Sequence, residues 1–377
     1  MLAIQQLIAG PPPKRQQIDA FLERHTFPIV EGRNVTFVFH GQADQVNLRH
    51  FIYGLPSSQP FRRVEGTDLW YRMLELPERS RVEYKIERVV GEGREWLMDP
   101  LNPRIARDPY GANSVCHGTG YETPEWTLPD PEARPGRIVE SEFTAGSAGV
   151  HGPVKVYLPA RFREHRRYPL LIVHDGEDYV RYASLNMVLD NLIHRLEIPP
   201  MIVALIDSAR RLETFAADSA HSQFLTRELV PALEQHYPLL RRPESRALMG
   251  ASFGGVAALH TAWRNPGVYG KLLLQSGSFA FSDIGDHQRG PQFDSVVRFV
   301  NELRENPGRP SSKVFLSCGT YESLIYENRS MFPLLQSTGM EVRFDEVRDG
   351  HNWENWRDRL REGLSWLFPG PLWMVYE

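Results

Sequence analysis

Apolar and polar positions along the 377-residue chain follow two grammars. After a proline-led start, PPKRQQIDAFLERH (12–25) spaces its apolar residues for a short helix. From Val35 onward, VTFVFHG, VNLRHFIYG, LWYRMLELP and VEYKIERVV are short β-rich runs, about ten to fifteen residues apart, with Gly, Pro, Ser and Asp between them. Runs of that length and spacing predict a β-sandwich. Residues 99–136 are rich in Pro, Gly and Asp and read as an extended connector, with the domain boundary near Pro129–Gly136.

Past Gly136 the pattern changes. RIVESEFT and PVKVYLP read as an antiparallel strand pair. YPLLIVHDG, MIVALID, SRALMG, KLLLQSG, KVFLSCG and EVRFDEV then follow in turn, most of them compact apolar runs ending in Gly or Asp. Helical patterns lie between them, among them 183–196, 226–237 and 352–368. Continuous apolar strands alternating with helices predict a parallel sheet covered on both faces. The expected organisation is a β-sandwich domain over 1–135, with a leading helix and the connector, and an α/β domain with a mostly parallel sheet over 136–377.

Composition narrows the function classes. The chain is 41% apolar and 24% charged, as ordinary globular domains are, and its net charge of −4 gives no support to a nucleic-acid surface. Two well-separated cysteines, Cys116 and Cys318, suggest free thiols in a reducing compartment rather than a disulfide framework or a zinc site. The start, MLAIQQLIAGPPPKRQQ, lacks the basic opening and long apolar core of a secretory signal, and no run reaches membrane-span length. A cytoplasmic protein without a membrane segment is expected. No metal-ligand cluster or phosphate loop is present, so no metal and no cofactor are expected; oligomeric state is left open.

The chemistry centres on GASFGGVAALH (250–260). A strand precedes Ser252 and a helix follows it, the setting of a G-x-S-x-G nucleophile elbow. Gly250 and Gly254 stand where side chains would collide across the turn. The helix N-terminus brings backbone N–H groups, that of Phe253 first, to a developing oxyanion. A serine nucleophile needs a base, and the base an orienting acid. Of the three later histidines, His260 lies two turns into the helix and His287 in a polar loop. His351, in VRDGHNW, follows the last predicted strand, where the base belongs. The acid should follow the penultimate strand, which makes Glu322 in GTYES the first choice over Asp345, Glu346 and Asp349. HDGEDY offers a second oxyanion donor: Gly176 permits the turn and the N–H of Glu177 donates. Trp353 is near enough in sequence to His351 to line a pocket. Trp70 and Tyr71 lie on an alternating strand, which places one of them in the core; a ligand-stacking platform is the alternative.

These segments, in this order, resemble a known group. HDGEDY, VALIDSARRLETF, TRELVPALEQHY, GASFGGVAALHTAW, QSGSF, CGTYES and DGHNWENWRDRL are similar to the esterase group of the α/β-hydrolases that includes enterochelin (enterobactin) esterases, feruloyl esterases and mycolyltransferases. VTFVFHG, GTDLWYRMLELP, VEYKI and DPLNP resemble the N-terminal immunoglobulin-like domain of cytoplasmic enterochelin esterases. The resemblance implies hydrolysis of the ester bonds of a cyclic tri-catechol siderophore, with iron release, and makes Ser252, His351 and Glu322 nucleophile, base and acid. It sets the family's arginine at Arg210 or Arg211, where a trianionic ferric tris-catecholate would give it a role. The segment departs from the family pattern with Thr214 after Glu213. The alternative reading is a carbohydrate esterase, feruloyl or acetyl, whose first domain binds glycan; a non-catalytic binding module is the reading from another class.

Overall fold

A computed structural model describes residues 1–141, 154–282 and 289–371. The chain divides into two compact units. The first comprises Met1–Thr123 with two later pieces, Gly319–Glu322 and Val347–Asn352; the second takes Pro124–Cys318, Ser323–Glu346 and the chain from Trp353 on.

The first unit is built from two antiparallel sheets. Its strands are β1 (Ile29–Glu31), β2 (Asn34–His40), β3 (Gln45–His50), β4 (Ser58–Pro60), β5 (Arg62–Arg63), β6 (Leu69–Glu75), β7 (Arg81–Val90), β8 (Gly93–Leu97), β9 (Ile105–Asp108) and β10 (Gly111–His117). One sheet runs β1-β2-β6-β5 and the other β4-β3-β7-β10-β9, with β8 beside β7. Alternate residues of β2, β3, β6 and β7, among them Phe37, Leu48, Trp70, Tyr84 and Ile86, face one shared core. The opposite face of the first sheet carries Val38, Leu69 and Tyr71, and Ile18 and Phe21 of the helix Arg15–Arg24 cover it. Trp70 and Tyr71 are therefore both buried, one on each face, and neither offers a ligand platform.

The expected connector over 99–136 is a correction. Its first part folds into β9 and β10, which pair with each other, and β10 pairs with β7. Glycines and aspartates at its turns hid strands that side-chain pattern alone does not reveal. Its later part packs with the second unit: the Asn191 amide donates to the carbonyls of Trp126 (3.0 Å) and Leu128 (2.8 Å), and the Gly136 N–H donates to Asp190 (2.7 Å).

The second unit contains β11 (Arg137–Glu140), β12 (Lys155–Leu158), β13 (Leu170–His174), β14 (Ile202–Ile206), β15 (Arg246–Ala251), β16 (Lys271–Gln275), β17 (Lys313–Gly319) and β18 (Glu341–Val347), in the order β11-β12-β14-β13-β15-β16-β17-β18. The run β14-β13-β15-β16-β17 is parallel, while β11 and β12 add an antiparallel edge. The rest of the expected first strand pair, 142–153, lies outside the described residues. Each central strand is apolar on both faces. Ile172, Ala204, Leu248 and Leu272 face the helices Phe253–Arg264, Asp294–Glu305 and Ile325–Ser337. Leu171, Val203, Met249 and Leu273 face Leu185–His194, Trp353–Asp358 and Leu360–Leu367. The expected helix over 226–237 is split: a π-type turn, Phe224–Leu229, leads into Val230–His236. Pro231 has no N–H to continue an i→i−4 ladder, and the widened turn accommodates that loss. Among the described residues no helix is long and apolar enough to cross a membrane.

Leu248 is fully buried in the centre of this sheet. Leu248→Ala is expected to lower stability by about 2–5 kcal/mol in urea unfolding, through lost burial plus an unfilled cavity.

Candidate active site

β15 runs directly into the helix Phe253–Arg264, and the chain must reverse within residues 250–254. Ser252 adopts φ 56°, ψ −121°, a conformation costly for any residue with a Cβ. Its N–H donates to the Gln275 carbonyl (3.0 Å), and its carbonyl accepts from the Ser278 N–H (3.2 Å). The side-chain oxygens of Ser252 and Ser278 are 3.1 Å apart. The turn closes so tightly that a Cβ on Gly250 would sit 2.4 Å from the carbonyl carbon and oxygen of Gly254. Ser252 is thus raised, partly exposed, at the carboxyl end of β15, with the amino end of a twelve-residue helix beside it.

Two buried histidines support this elbow from below, and the sequence reading missed them. His174 ends the apolar strand β13, and its Nδ1 is 3.0 Å from the Met249 carbonyl oxygen. A carbonyl only accepts, so Nδ1–H donates, and Nε2 then accepts from His221 Nε2 at 2.9 Å. A lone polar residue at the end of an all-apolar run was the available signal. Ser278, in QSGSF, carried none beyond its position after a strand.

The other half of the expected chemistry lies on the pieces that follow β17 and β18, within the first unit. His351 Nδ1–H donates to Glu322 Oε2 at 2.7 Å, and the Gly319 N–H donates to Glu322 Oε1 at 2.7 Å. Glu322 is 3% exposed, so its two oxygens are held by these donors rather than by water. That bond consumes Nδ1 and leaves Nε2 as the basic nitrogen of His351. Gly319 is required here, because a Cβ would lie 2.2 Å from the Asp349 carbonyl oxygen. The other carboxylates considered are occupied elsewhere. Asp345 pairs with Arg343 (3.1 Å) and Glu346 with Arg329 (2.6 Å). Asp349 binds Arg81, Gly350 N–H and the Asn352 amide. His260 is buried against Phe299, and burial pulls it down to about 4. His287 lies outside the described residues.

Around the elbow, acidic groups gather at the ends of β13 and β14. The Glu177 N–H donates to the Asp207 carboxylate (3.2 and 3.3 Å), so that donor is already engaged. Burial and the neighbouring carboxylates of Asp175, Glu177 and Asp178 push Asp207 from 3.8 up to about 6, against the pull of that N–H. Arg211 is held bidentately by Asp175 (2.6 and 2.7 Å), and Arg210 pairs with Glu213 (3.3 Å) on the surface. Both positive charges are matched within the protein. Trp353 is 9% exposed and packs edge-on against Tyr179 and Trp356, as a core residue does. Among the described residues no group of three or more His, Cys, Asp or Glu is placed to hold a metal ion.

Two outcomes follow from these distances. Gly250→Ala is expected to destabilise the second unit by more than about 2 kcal/mol, since the contact is with backbone and cannot be relieved by a rotamer. A melting temperature equal to the parent's would contradict the elbow geometry. The unfolded chain ionises Asp207 near 3.8 and the folded chain only near 6. Stability should therefore fall as pH rises through that window and stay level above it, by up to about 3 kcal/mol. Asp207→Asn should remove this component, which urea titrations at several pH values would detect.

Comparison with known proteins identifies the family. The family model described as "Putative esterase" matches residues 147–367. The Iron(III) enterobactin esterase of Escherichia coli O6:H1 is 25% identical over 341 residues, covering 82% of each chain. The uncharacterized protein YjcH of Bacillus subtilis is 24% identical over 61% of this chain and 97% of its own. Among solved structures, ferric enterobactin esterase from Salmonella typhimurium superposes with a TM-score of 0.71 at 21% identity, over 89% of this chain and 93% of its own. At that identity the structural likeness is one of fold. With more than half of its length matched by the family model, the chain belongs to this esterase family.

Proposed function

We propose that this esterase uses Ser252 as nucleophile and hydrolyses the ester bonds of a catechol siderophore of the enterobactin type, so that iron is released. The observation that carries the chemistry is the 2.7 Å bond between His351 Nδ1 and the buried Glu322. It leaves Nε2 to act as base, while the elbow holds Ser252 in the strained conformation of a nucleophile. His351 takes the Ser252 proton as Oγ attacks the ester carbonyl. The N–H of Phe253 holds the oxyanion, joined by that of Glu177 when the Asp207 carboxylate releases it. Collapse expels the alcohol oxygen, which His351 protonates. Water, deprotonated by the same nitrogen, then cleaves the acyl-enzyme and restores Ser252.

Two observations support the substrate class. The enterobactin esterase relative aligns over 82% of this chain, more than either unit alone could supply. The loop after β3 exposes Phe51 (68%), Tyr53 (48%) and Leu55 (45%), and the Tyr53 N–H donates to the Tyr321 carbonyl (2.9 Å), one residue before Glu322. An apolar and aromatic lip beside the acid suits catechol rings. Arg210 and Arg211 could contact a ferric tris-catecholate only by loosening their carboxylate partners. The immunoglobulin-like reading of the first unit and action in the cytoplasm, for which the two buried cysteines outside any disulfide speak, belong to the same proposal.

Purified protein would be assayed on ferric enterobactin, iron-free enterobactin, a feruloyl sugar ester and a short p-nitrophenyl ester. Linear dihydroxybenzoylserine products formed well above the other rates are expected. Preference for the feruloyl sugar would replace the siderophore reading with the carbohydrate one. Ser252→Ala should lower hydrolysis by about 10³-fold or more with folding retained, and full activity in that variant would overturn the mechanism.

A further inference from the structure

The start of β7 holds both of the chain segments that carry His351 and Glu322. Arg81 is wholly buried. Its Nη1 donates to Asp349 (3.2 and 3.4 Å) and to Asn352 Oδ1 (3.0 Å), and its Nη2 donates to Glu83 (2.9 Å). Its backbone N–H donates to the Arg348 carbonyl (2.9 Å). Residues 348, 349 and 352 flank His351 on both sides. One position earlier, the Ser80 hydroxyl lies 2.5 Å from the Tyr321 hydroxyl and bonds the Pro77 carbonyl (2.6 Å). Tyr321 precedes Glu322, and its N–H donates to the Asp349 carbonyl (3.1 Å). Two adjacent residues, Ser80 just before β7 and Arg81 as its first residue, thus grip the acid's segment and the base's segment.

A surface turn would not need this. A guanidinium stripped of water is costly unless several acceptors surround it. Glu83, two residues along the same strand, could have neutralised Arg81 locally. The side chain instead directs Nη1 to Asp349 and Asn352. Strand β7 is itself fixed, paired with β3 on one side and β10 on the other. It can therefore transmit a defined position to whatever it holds.

We propose that Arg81 and Ser80 are positioning residues for the His351–Glu322 pair, making the β-sandwich unit the template for the acid–base half of the reaction. This rests on the reading that His351 and Glu322 serve Ser252. A small displacement of the imidazole is enough to slow proton transfer sharply, so the effect should fall on rate and not on substrate affinity.

The test uses the full chain with Arg81→Met, Arg81→Lys and Ser80→Ala, on a p-nitrophenyl ester, with active sites counted by a fluorophosphonate. Arg81→Met should lower kcat per titrated site by about 10–100-fold with KM within about twofold, and should move the acid limb of the kcat/KM pH profile. Arg81→Lys should recover part of the rate, since an ammonium can bond Asp349 but cannot match the planar fork. Ser80→Ala should lower kcat by about 3–10-fold. Parent kcat per site with an unmoved acid limb in Arg81→Met would overturn the proposal. So would a loss confined to the number of titratable sites, which marks a structural role alone. If Arg81→Met does not fold, the other two variants decide by the same readouts, and unchanged values in both overturn it. Failure of the underlying reading looks different: the parent enzyme is inactive, or Ser252→Ala is active.

Discussion

Everything at Ser252 depends on a backbone reversal with no room for a side chain. β15 must stop, turn and begin a helix within a few residues, and Gly250 passes the carbonyl of Gly254 at a distance no Cβ could survive. Ser252 absorbs the strain at φ 56°. Hydrogen bonds from its N–H to Gln275 and from Ser278 to its carbonyl, with buried β-strands on both sides, offset that cost. Gln275 is itself fixed, accepting from the Tyr179 hydroxyl (2.7 Å) and donating to the Trp356 carbonyl (2.8 Å). The aromatic residues of the last helices therefore bear on the elbow through hydrogen bonds as well as packing.

Among the described residues one device recurs where charge is buried: a carboxylate met by a directed donor. Asp175 has the Arg211 fork, Asp349 has Arg81, Glu322 has His351 and the Gly319 N–H. Asp190 accepts from the Tyr157 hydroxyl and Asp99 from the Tyr84 hydroxyl, both at 2.6 Å. Burial still lifts some of these groups, Asp349 to about 7 and Asp207 to about 6, because desolvation outweighs the donors. The acidic cluster around Asp207 sits where the backbone needs N–H acceptors, and its charge explains why Arg211 turns inward.

Much of the second unit was legible because its strands are apolar on both faces, which leaves uninterrupted runs such as LLIVH and IVALI ending at turn residues. The elbow was legible because glycine spacing around a serine is a local steric requirement. Chain order carried His351 and Glu322, since each follows a strand that the pattern marks clearly. The first unit was less legible. β9 and β10 lie in a stretch dominated by Pro, Gly and Asp, and β8, with four exposed residues, has no buried face to alternate. For Trp70 and Tyr71, alternation puts one in the core and leaves the other on a wet face, whereas a helix covers that face here and both are buried.

The amino-acid sequence by itself therefore determined most element types of the second unit, the parallel sheet, the glycine-framed turn at Ser252 and the places of Glu322 and His351 after the last two strands, all consequences of short-range sterics and periodicity. Only the tertiary structure decided which carboxylate meets His351, where each arginine spends its charge, and that Ser80 and Arg81 reach residues 321 and 349. The Ser80 and Arg81 contacts span 241 and 268 residues, and all of these pairings are selected by desolvation and hydrogen-bond geometry, which no local pattern encodes.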